Sequence, residues 1–438
     1  MRATSYPFFR ALSGMLVCSA LVSGCNDDDE SSSGTYPAYA EASNPTVLAT
    51  APNGTVLYNG GFGSSIAQDP NDPTVFYLLT DRGPNAAGTA PNTIIFGKAD
   101  FTPQIGKFRR QGQQLVLEQT ISLKNASGHL LTGLPNPIGQ GNTGEIALDL
   151  NGQVLAPDAE GIDSEGLVLA ADGTFWVSDE YGPHITHFDG TGRTLERINP
   201  FGSGTGGRRL PAVLARRRPN RGMEGLTITP DGKTLVGLLQ SPLYNPTAAA
   251  VAGSTVIRIL TFDIATGATK QYVYLMENAS LTGCSEIVAI TNTTFLALER
   301  DGLYGGNTTA PATFKRVYQF DLAGATDISD AANAAAGKLY NGLTVEQLKD
   351  RTGLSAAGIV PVTKTLVLDL LTDISPVYPH DKAEGLVLIG NNQLAIANDD
   401  DFGVLDNGLN GFAPKLLPAT NQVDRNRIYF VQLKTPVK

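Results

Sequence analysis

Four glutamates that open similar segments of the chain are the residues best suited to do chemistry. Glu165 and Glu384 each begin Glu-Gly-Leu-Val-Leu, Glu224 begins Glu-Gly-Leu-Thr-Ile, and Glu286 begins Glu-Ile-Val-Ala-Ile. Carboxylates that lie close together repel one another and raise each other's pKa, and a hard divalent cation such as Ca²⁺ relieves that repulsion. Convergence of the four would make a metal-binding or catalytic ring. In the alternative interpretation, each Glu-Gly is only a turn with a solvated acid.

Two further segments concentrate acidic side chains. The segment Asn398-Asp399-Asp400-Asp401-Phe402 directly follows an apolar run, so its acids lie at the end of a strand. Residues 158–165 contain four acids that one loop could offer together. Carboxylate oxygens are the ligands that Ca²⁺ prefers, and we therefore favour a cation site over a merely solvated loop.

Basic residues stand beside these acids in the sequence. They are Arg82 after Asp81, Arg221 before Glu224, Arg300 after Glu299, and Lys382 before Glu384. A metal ion that neutralises one side of a phosphoric ester, with arginine forks on its other oxygens, is one arrangement that binds phosphate. Structural salt bridges would produce the same pattern, and the sequence leaves both interpretations open.

Several other classes of function are disfavoured. None of the four histidines has a zinc-site spacing, and the chain contains no Gly-x-Ser-x-Gly elbow, P-loop or dinucleotide fingerprint. A serine hydrolase is therefore disfavoured. The net charge of −10 argues against a nucleic-acid partner.

The elements that must position the acids are strands. Short runs rich in β-branched and aromatic residues, such as 256–262 and 428–431, are bounded by Gly, Pro, Asn and Asp. Segments that begin with the four glutamates recur at intervals of 59, 62 and 98 residues. An all-β repeat of this length is typical of a β-propeller, whose innermost strands line a common channel. With about 65 residues per blade we expect six blades, and seven is the alternative.

One insertion is predicted to be helical, near residues 327–351. Residues 327–336 are rich in alanine and begin with Asp327. Residues 343–351 place Thr344 three positions before Gln347, which is the spacing of a capping box.

The beginning of the chain predicts export and lipidation. Residues 1–24 have arginines followed by a short apolar run, and Val22-Ser23-Gly24-Cys25 has the spacing of a lipobox. We therefore expect a lipoprotein signal peptide over 1–24, lipid on Cys25 that binds the membrane, and a flexible acidic, Ser-rich tether over 25–43. The folded domain would occupy 44–438, as a monomer in the bacterial cell envelope, periplasmic or on the outer surface.

In its ordered set of motifs the chain resembles the bacterial phytase-like family, described as having esterase-like activity of phytase. The motifs are Thr80-Asp81-Arg82-Gly83-Pro84, Trp176 to Pro183, Asn220 to Gly232, Glu299-Arg300, Glu384-Gly385-Leu386 and Asn398 to Phe402. They span about residues 57 to 433, which is nearly all of the mature chain. Asp401 stands where the family pattern has Asn, which leaves the number of metal ions and the substrate open.

The resemblance implies a propeller that binds calcium and hydrolyses phosphoric esters. Applied to these residues, it predicts catalytic roles for Asp81, Glu165, Glu224 and Glu384. It predicts substrate binding, through the phosphate of a small ester, by Arg82, Arg221, Arg300 and Lys382. The predicted metal ligands are Glu165, Asp179, Glu180, Glu224, Glu286, Glu299, Glu384, Asp399 and Asp400. The alternatives are a non-catalytic envelope propeller that binds a partner or glycan, and a metal-dependent lactonase.

Overall fold

The computed structural model describes residues 36–43, 45–279, 283–409 and 411–438. The predicted signal peptide, Cys25 and residues 25–35 of the predicted tether lie outside these residues. Within the described part of the chain, no helix combines the length and apolar character needed to span a membrane.

Five four-stranded antiparallel blades make up the domain, which confirms the β-propeller. Blade A contains β4 (Phe62–Gln68), β5 (Val75–Thr80), β8 (Gln104–Gln111) and β9 (Gln114–Ser122). Blade B contains β11 (Ser164–Leu169), β12 (Phe175–Asp179), β13 (His184–Phe188) and β14 (Thr194–Ile198). Blade C contains β15 (Met223–Ile228), β16 (Thr234–Leu239), β17 (Val256–Asp263) and β18 (Thr269–Leu275). Blade D contains β19 (Gly283–Ala289), β20 (Thr294–Arg300), β21 (Lys315–Asp321) and β22 (Thr363–Asp369).

Blade E is assembled from both ends of the described chain. Its strands are β23 (Leu386–Ile389), β24 (Gln393–Ala397), β27 (Arg427–Gln432) and β1 (Tyr39–Ala42). Strand β1 pairs antiparallel with β27, with Tyr39 opposite Tyr429, and its other edge pairs parallel with β9 of blade A. Residues 39–42 were expected to belong to a flexible tether, so the folded domain begins earlier than predicted.

The described residues form five blades rather than the expected six, because long loops contain residues that we expected to form a sixth blade. Residues 323–362 connect β21 to β22 within blade D, and residues 123–163 connect blade A to blade B. Three small sheets lie in the loops. They are β2 (Val47–Thr50) with β3 (Val56–Tyr58); β6 (Asn85–Ala87) with β7 (Thr93–Phe96) and β10 (Ile146–Leu148); and β25 (Val404–Asp406) with β26 (Phe412–Pro414).

The insertion is helical only in its second half. A 3-10 helix, Val345–Leu348, carries the predicted capping box of Thr344 and Gln347, and α1 (Arg351–Ala356) follows. Residues 327–336 form turns instead, because Asp330 accepts hydrogen bonds from the backbone N–H groups of Ala332 and Ala334. Two further 3-10 helices are Ala212–Arg216 and Asp401–Gly403.

The hydrophobic core lies between adjacent blades. Leu79 and Phe188 belong to a cluster shared by blades A and B, and Phe76 and Phe430 to one shared by blades E and A. The inner strands β4, β11, β15, β19 and β23 contact one another in a closed ring. This ring fixes how the beginnings of the five inner strands meet at one face.

Glycine in the Glu-Gly repeat allows the inner strands to approach one another closely. A Cβ atom on Gly166 would lie 2.6 Å from the backbone nitrogen of Leu226, and one on Gly225 would lie 2.7 Å from that of Ile287. Each glycine therefore faces the inner strand of the next blade at a distance that excludes a side chain. The Glu-Gly repeat therefore reflects close packing of the inner strands as well as the placement of acidic side chains.

Candidate metal centre at the acidic face

The acidic residues meet at one face because the strands are antiparallel. The inner strand of each blade begins at this face and the second strand ends there, so residues from both strands arrive together. Glu165 and Glu224 lie at β-bulges near the start of β11 and β15, and Glu180 directly follows β12. Bulges re-aim side chains, which brings the carboxylates of Glu165 and Glu224 out of the ladder.

Glu165, Glu180 and Glu224 form a buried triad of carboxylates, which we call the glutamate triad. One oxygen from each lies within 4.8 Å of the others. Among the described residues none of the three forms a salt bridge, and the Oε2 atoms of Glu180 and Glu224 have no hydrogen-bond partner. Gln240 Nε2 donates to Glu224 Oε1 at 2.5 Å. Buried carboxylate oxygens without partners are rare, and two of them in one triad fit a set of ligands for a cation.

The electrostatics of the triad agree with its geometry. Burial, reinforced first by the Glu224 carboxylate, raises the pKa of Glu165 well above its usual range, and the same two causes raise the pKa of Glu180. Burial followed by the charge of Glu384 raises the pKa of Glu224 to about 7. An all-oxygen set under this repulsion fits a hard divalent cation. The triad could therefore bind a metal ion.

In a second acidic group, Asp81, Asp399 and Asp401, lysines pair with two of the three carboxylates. Its oxygens also lie within 4.8 Å of one another. However, Lys382 Nζ lies 2.7 Å from Asp399 Oδ2 and 2.6 Å from Asp401 Oδ1, and Lys415 Nζ lies 2.7 Å from Asp401 Oδ2. Burial and the charge of Asp163 raise the pKa of Asp81 to about 8. This group is an ion-pair network beside the triad.

Glu286 does not join the triad, because it is one residue out of register with the other glutamates. In blade D the bulge falls on Ser285, between Cys284 opposite Glu299 and Glu286 opposite Leu298. In blade C the corresponding bulge residue is Glu224 itself. A shift of one residue turns a strand side chain to the opposite face. Glu286 therefore occupies the position that Gly225 holds in blade C.

The carboxyl group of Glu286 instead connects inner strands across the channel. It accepts hydrogen bonds from Ser65 Oγ of blade A, from the backbone N–H of Leu226 of blade C at 3.3 Å, and from its own neighbour Ile287. Ser65 Oγ in turn accepts from the backbone N–H of Leu167 in blade B. This network of Glu286 and Ser65 joins four blades and accounts for both carboxylate oxygens.

The other predicted metal ligands are held by protein groups. Asp179 pairs with His184 and Arg197, and Glu299 accepts from Tyr274 Oη and Lys364 Nζ between blades C and D. Asp400 accepts from the backbone N–H groups of Gly61, Phe402 and Asn426. Glu384 lies near the triad electrostatically but pairs with Arg300.

Three of the four predicted phosphate-binding cations are also engaged. Arg82 pairs with Glu145 at 2.9 Å and approaches Asp163 at 3.7 Å, Arg300 pairs with Glu384, and Lys382 bridges Asp399 and Asp401. Within the described chain, only the fourth, Arg221, makes no side-chain salt bridge or hydrogen bond. The three paired cations position acids, whereas Arg221 forms no such pair among the described residues.

Sequence reasoning missed Gln240 and Lys415. Gln240 follows the second strand of blade C, which is the position that Glu180 holds in blade B. Comparing residues that follow the second strands would have identified it. Lys415 lies in a loop far from the motifs and carried no such signal.

The chain is similar in sequence to a known protein family and to a secreted protein of another organism. The sequence profile of the phytase-like family, described as esterase-like activity of phytase, matches residues 58–402. An uncharacterized secreted protein of Arthroderma benhamiae is 30% identical over 260 residues, and the match covers 49% of this chain and 51% of that protein. The chain thus spans about half the length of that relative.

Similarity to solved structures is remote. The periplasmic gluconolactonase of Pseudomonas aeruginosa is 10% identical, with a TM-score of 0.31, over 88% of this chain and 89% of that one. A member of a Bacteroides vulgatus family is 10% identical, with a TM-score of 0.34, over 92% and 98%. Hydrazine synthase of Kuenenia stuttgartiensis is 13% identical, with a TM-score of 0.33, over 79% of each chain.

Proposed function

We propose, given that this chain belongs to the phytase-like family, that it is a calcium-dependent hydrolase of phosphoric esters. The observation that carries the proposal is the buried glutamate triad, with its two unpartnered oxygens, beside an unpaired Arg221. A cation and an arginine on either side of one space suit a phosphoric ester.

Different residues of the chain would bind the metal ion and orient the carboxylates around it. Glu165, Glu180 and Glu224 would hold the ion, which when bound supplies Lewis-acid stabilisation of charge on the phosphoryl group. Gln240 fixes one oxygen of Glu224. Glu384 is held in place by Arg300, and Asp81 by the backbone N–H of Gly83 at 2.8 Å. We propose that Glu165, Glu224, Glu384 and Asp81 form the catalytic group.

Phosphate release from a panel of esters tests the function. The purified protein is assayed with Ca²⁺ and with EDTA, next to Glu224→Gln and the surface control Glu118→Gln. We expect Ca²⁺-dependent release that Glu224→Gln reduces by about a hundredfold or more and that Glu118→Gln leaves unchanged. No release from any ester with calcium present would contradict the proposal. Turnover of lactones alone would identify a lactonase, and binding of a glycan or protein without turnover would identify a binding module.

We propose a place in the cell envelope for this activity, with Cys25 carrying lipid and the protein acting as a monomer. The relative from Arthroderma benhamiae is described as secreted, which supports export. Labelling cells with radioactive palmitate tests the anchor. Label should enter the intact protein and be lost from Cys25→Ser, and label retained in that variant would refute lipidation at Cys25.

A further inference from the structure

A cavity of about 250 Å³ opens beside the acidic face at blade C. It is bordered by the segment that precedes β15, by the loop between β16 and β17, and by residues that follow β18. Its polar lining comes from Arg218, Arg221, Ser241, Tyr244 and Ser254, and the rest is apolar. No acidic side chain lines it among the described residues.

Two arginines in this cavity form no salt bridge among the described residues, although the charges of Glu180 and Glu224 act on Arg221. The side chains of Arg218 and Arg221 make no salt bridge or hydrogen bond to the described residues, although Arg218 lies over the ring of Tyr244 at 5.8 Å. The backbone N–H of Arg221 donates to the carbonyl of Arg218 at 3.1 Å, so a tight turn holds the two together. Arg218 also lowers the pKa of Arg221, with burial as the larger cause. Paired like charges of this kind are stabilised when an anion binds between them.

A buried hydroxyl in the same cavity also lacks a partner. Ser241 is only 3% exposed and its Oγ forms no hydrogen bond to the described residues. A buried hydroxyl without a partner costs about 1–3 kcal/mol, and a bound oxyanion would accept its hydrogen bond. Two arginine forks and one hydroxyl donor match the acceptor-only surface of a phosphoryl group.

We propose that Arg218, Arg221 and Ser241 form an oxyanion subsite that holds the phosphoryl group of the substrate next to the glutamate triad. The inference rests on the proposed function and deepens it, because it selects one of four candidate cations and adds two residues that no motif suggested. The charges of Glu180 and Glu224 act on Arg221, which places the subsite at the edge of the triad. The apolar walls admit a compact apolar group on the phosphoryl oxygen.

Calorimetric titration of the folded domain with inorganic phosphate in EDTA tests the subsite without any metal. The variants are Arg218→Ala, Arg221→Ala and Ser241→Ala. The matched control is Arg216→Ala, because Arg216 belongs to the same basic run but is exposed and does not line the cavity. Thermal melting establishes that each variant is folded.

We expect saturable phosphate binding that weakens about tenfold or more in each arginine variant and about threefold in Ser241→Ala. Arg216→Ala should bind within about twofold of the parent protein. Acetate should bind more weakly than phosphate, because it offers fewer acceptor oxygens to the two forks. The subsite is refuted by the absence of saturable binding, by equal weakening in Arg216→Ala, or by acetate that binds as tightly as phosphate.

Phosphate titration and ester turnover, measured on the same variants, separate this inference from the enzymatic proposal. Phosphate binding that depends on Arg218 and Arg221, without turnover of any ester, would support the subsite and refute the hydrolase. Ester turnover that Arg218→Ala and Arg221→Ala leave unchanged would support the hydrolase and refute the subsite.

Discussion

At the scale of single residues, the candidate site depends on which carboxylates lack partners. Asp179 pairs with His184, and Glu299 pairs with Lys364. Asp400 accepts hydrogen bonds from backbone amides. Glu180 and Glu224 retain oxygens that the described protein does not satisfy. Acidic side chains are common on this face. Buried carboxylate oxygens without hydrogen-bond partners are therefore the feature that identifies the candidate metal centre.

Replacing Glu224 by Gln should change stability in opposite directions with and without metal. In EDTA at pH 8, above the pKa of about 7 of Glu224, the amide removes a buried negative charge, and we expect stabilisation by about 1–3 kcal/mol. With excess Ca²⁺ the parent protein should gain stability by ligand binding, and the variant should gain little. Thermal melting under both conditions measures this. Glu118→Gln is the control, and a variant that calcium stabilises as much as the parent would remove Glu224 from the metal site.

Replacing Glu286 by Ala should destabilise the domain by about 2–4 kcal/mol, because Ser65 and the backbone of Leu226 would lose their acceptor inside the channel. Glu286→Gln should cost less than about 1 kcal/mol, since its amide group can still accept from both backbone N–H groups and can donate to Ser65. Urea unfolding measures both variants. Equal losses of stability in the two variants would mean that the negative charge of Glu286, rather than its hydrogen bonds, stabilises the channel.

At the scale of elements, the strand pattern and the Glu-Gly repeat were readable from the sequence, but the register within each strand was not. Glu165 and Glu224 were identified because the repeat placed both at the start of inner strands. Glu286 was aligned with them, yet Ser285 holds the equivalent position. A bulge shifts this register by one residue without any change in the apolar pattern, so sequence periodicity cannot locate it.

The loops were the other limit of sequence reasoning at this scale. Residues 327–336 have helical composition, but Asp330 caps turns there and Ile328 is buried under blade C. Pairing of Arg300 with Glu384, which lie 84 residues apart, depends on how blades D and E meet. Such contacts follow from tertiary packing, which local propensity does not encode.

Replacing Gly225 by Ala should destabilise the domain by about 2–4 kcal/mol. Its Cβ would lie 2.7 Å from the backbone nitrogen of Ile287, so blades C and D would have to separate. Gly302→Ala is the matched control, because a Cβ there meets nothing within 4 Å. Unfolding in urea compares the two. Similar stability of both variants would show that the inner strands can separate at little cost.

At the scale of the whole molecule, the propeller closes through β1, which begins only a few residues after the first described residue. Its antiparallel pairing with β27 completes blade E, and its parallel pairing with β9 continues that sheet into blade A.

Removing β1 should therefore cost more than its four residues suggest. A chain that starts at Ser43 would leave the edges of β27 and β9 unpaired, and we expect a melting temperature lowered by about 10 °C or more, together with aggregation. A chain that starts at Tyr36 is the control and should melt like the parent protein. Unchanged melting of the shorter chain would show that blade E is stable with three strands.

Closure through β1 also sets a time order for the growth of the chain. Tyr39 emerges from the ribosome long before its partner Tyr429. Blades A to D can each form from contiguous sequence, whereas the fifth must wait until β27 has been synthesised. Such high contact order makes the last step slow, and in the interval the newborn polypeptide carries an unsatisfied β edge that chaperones would need to shield.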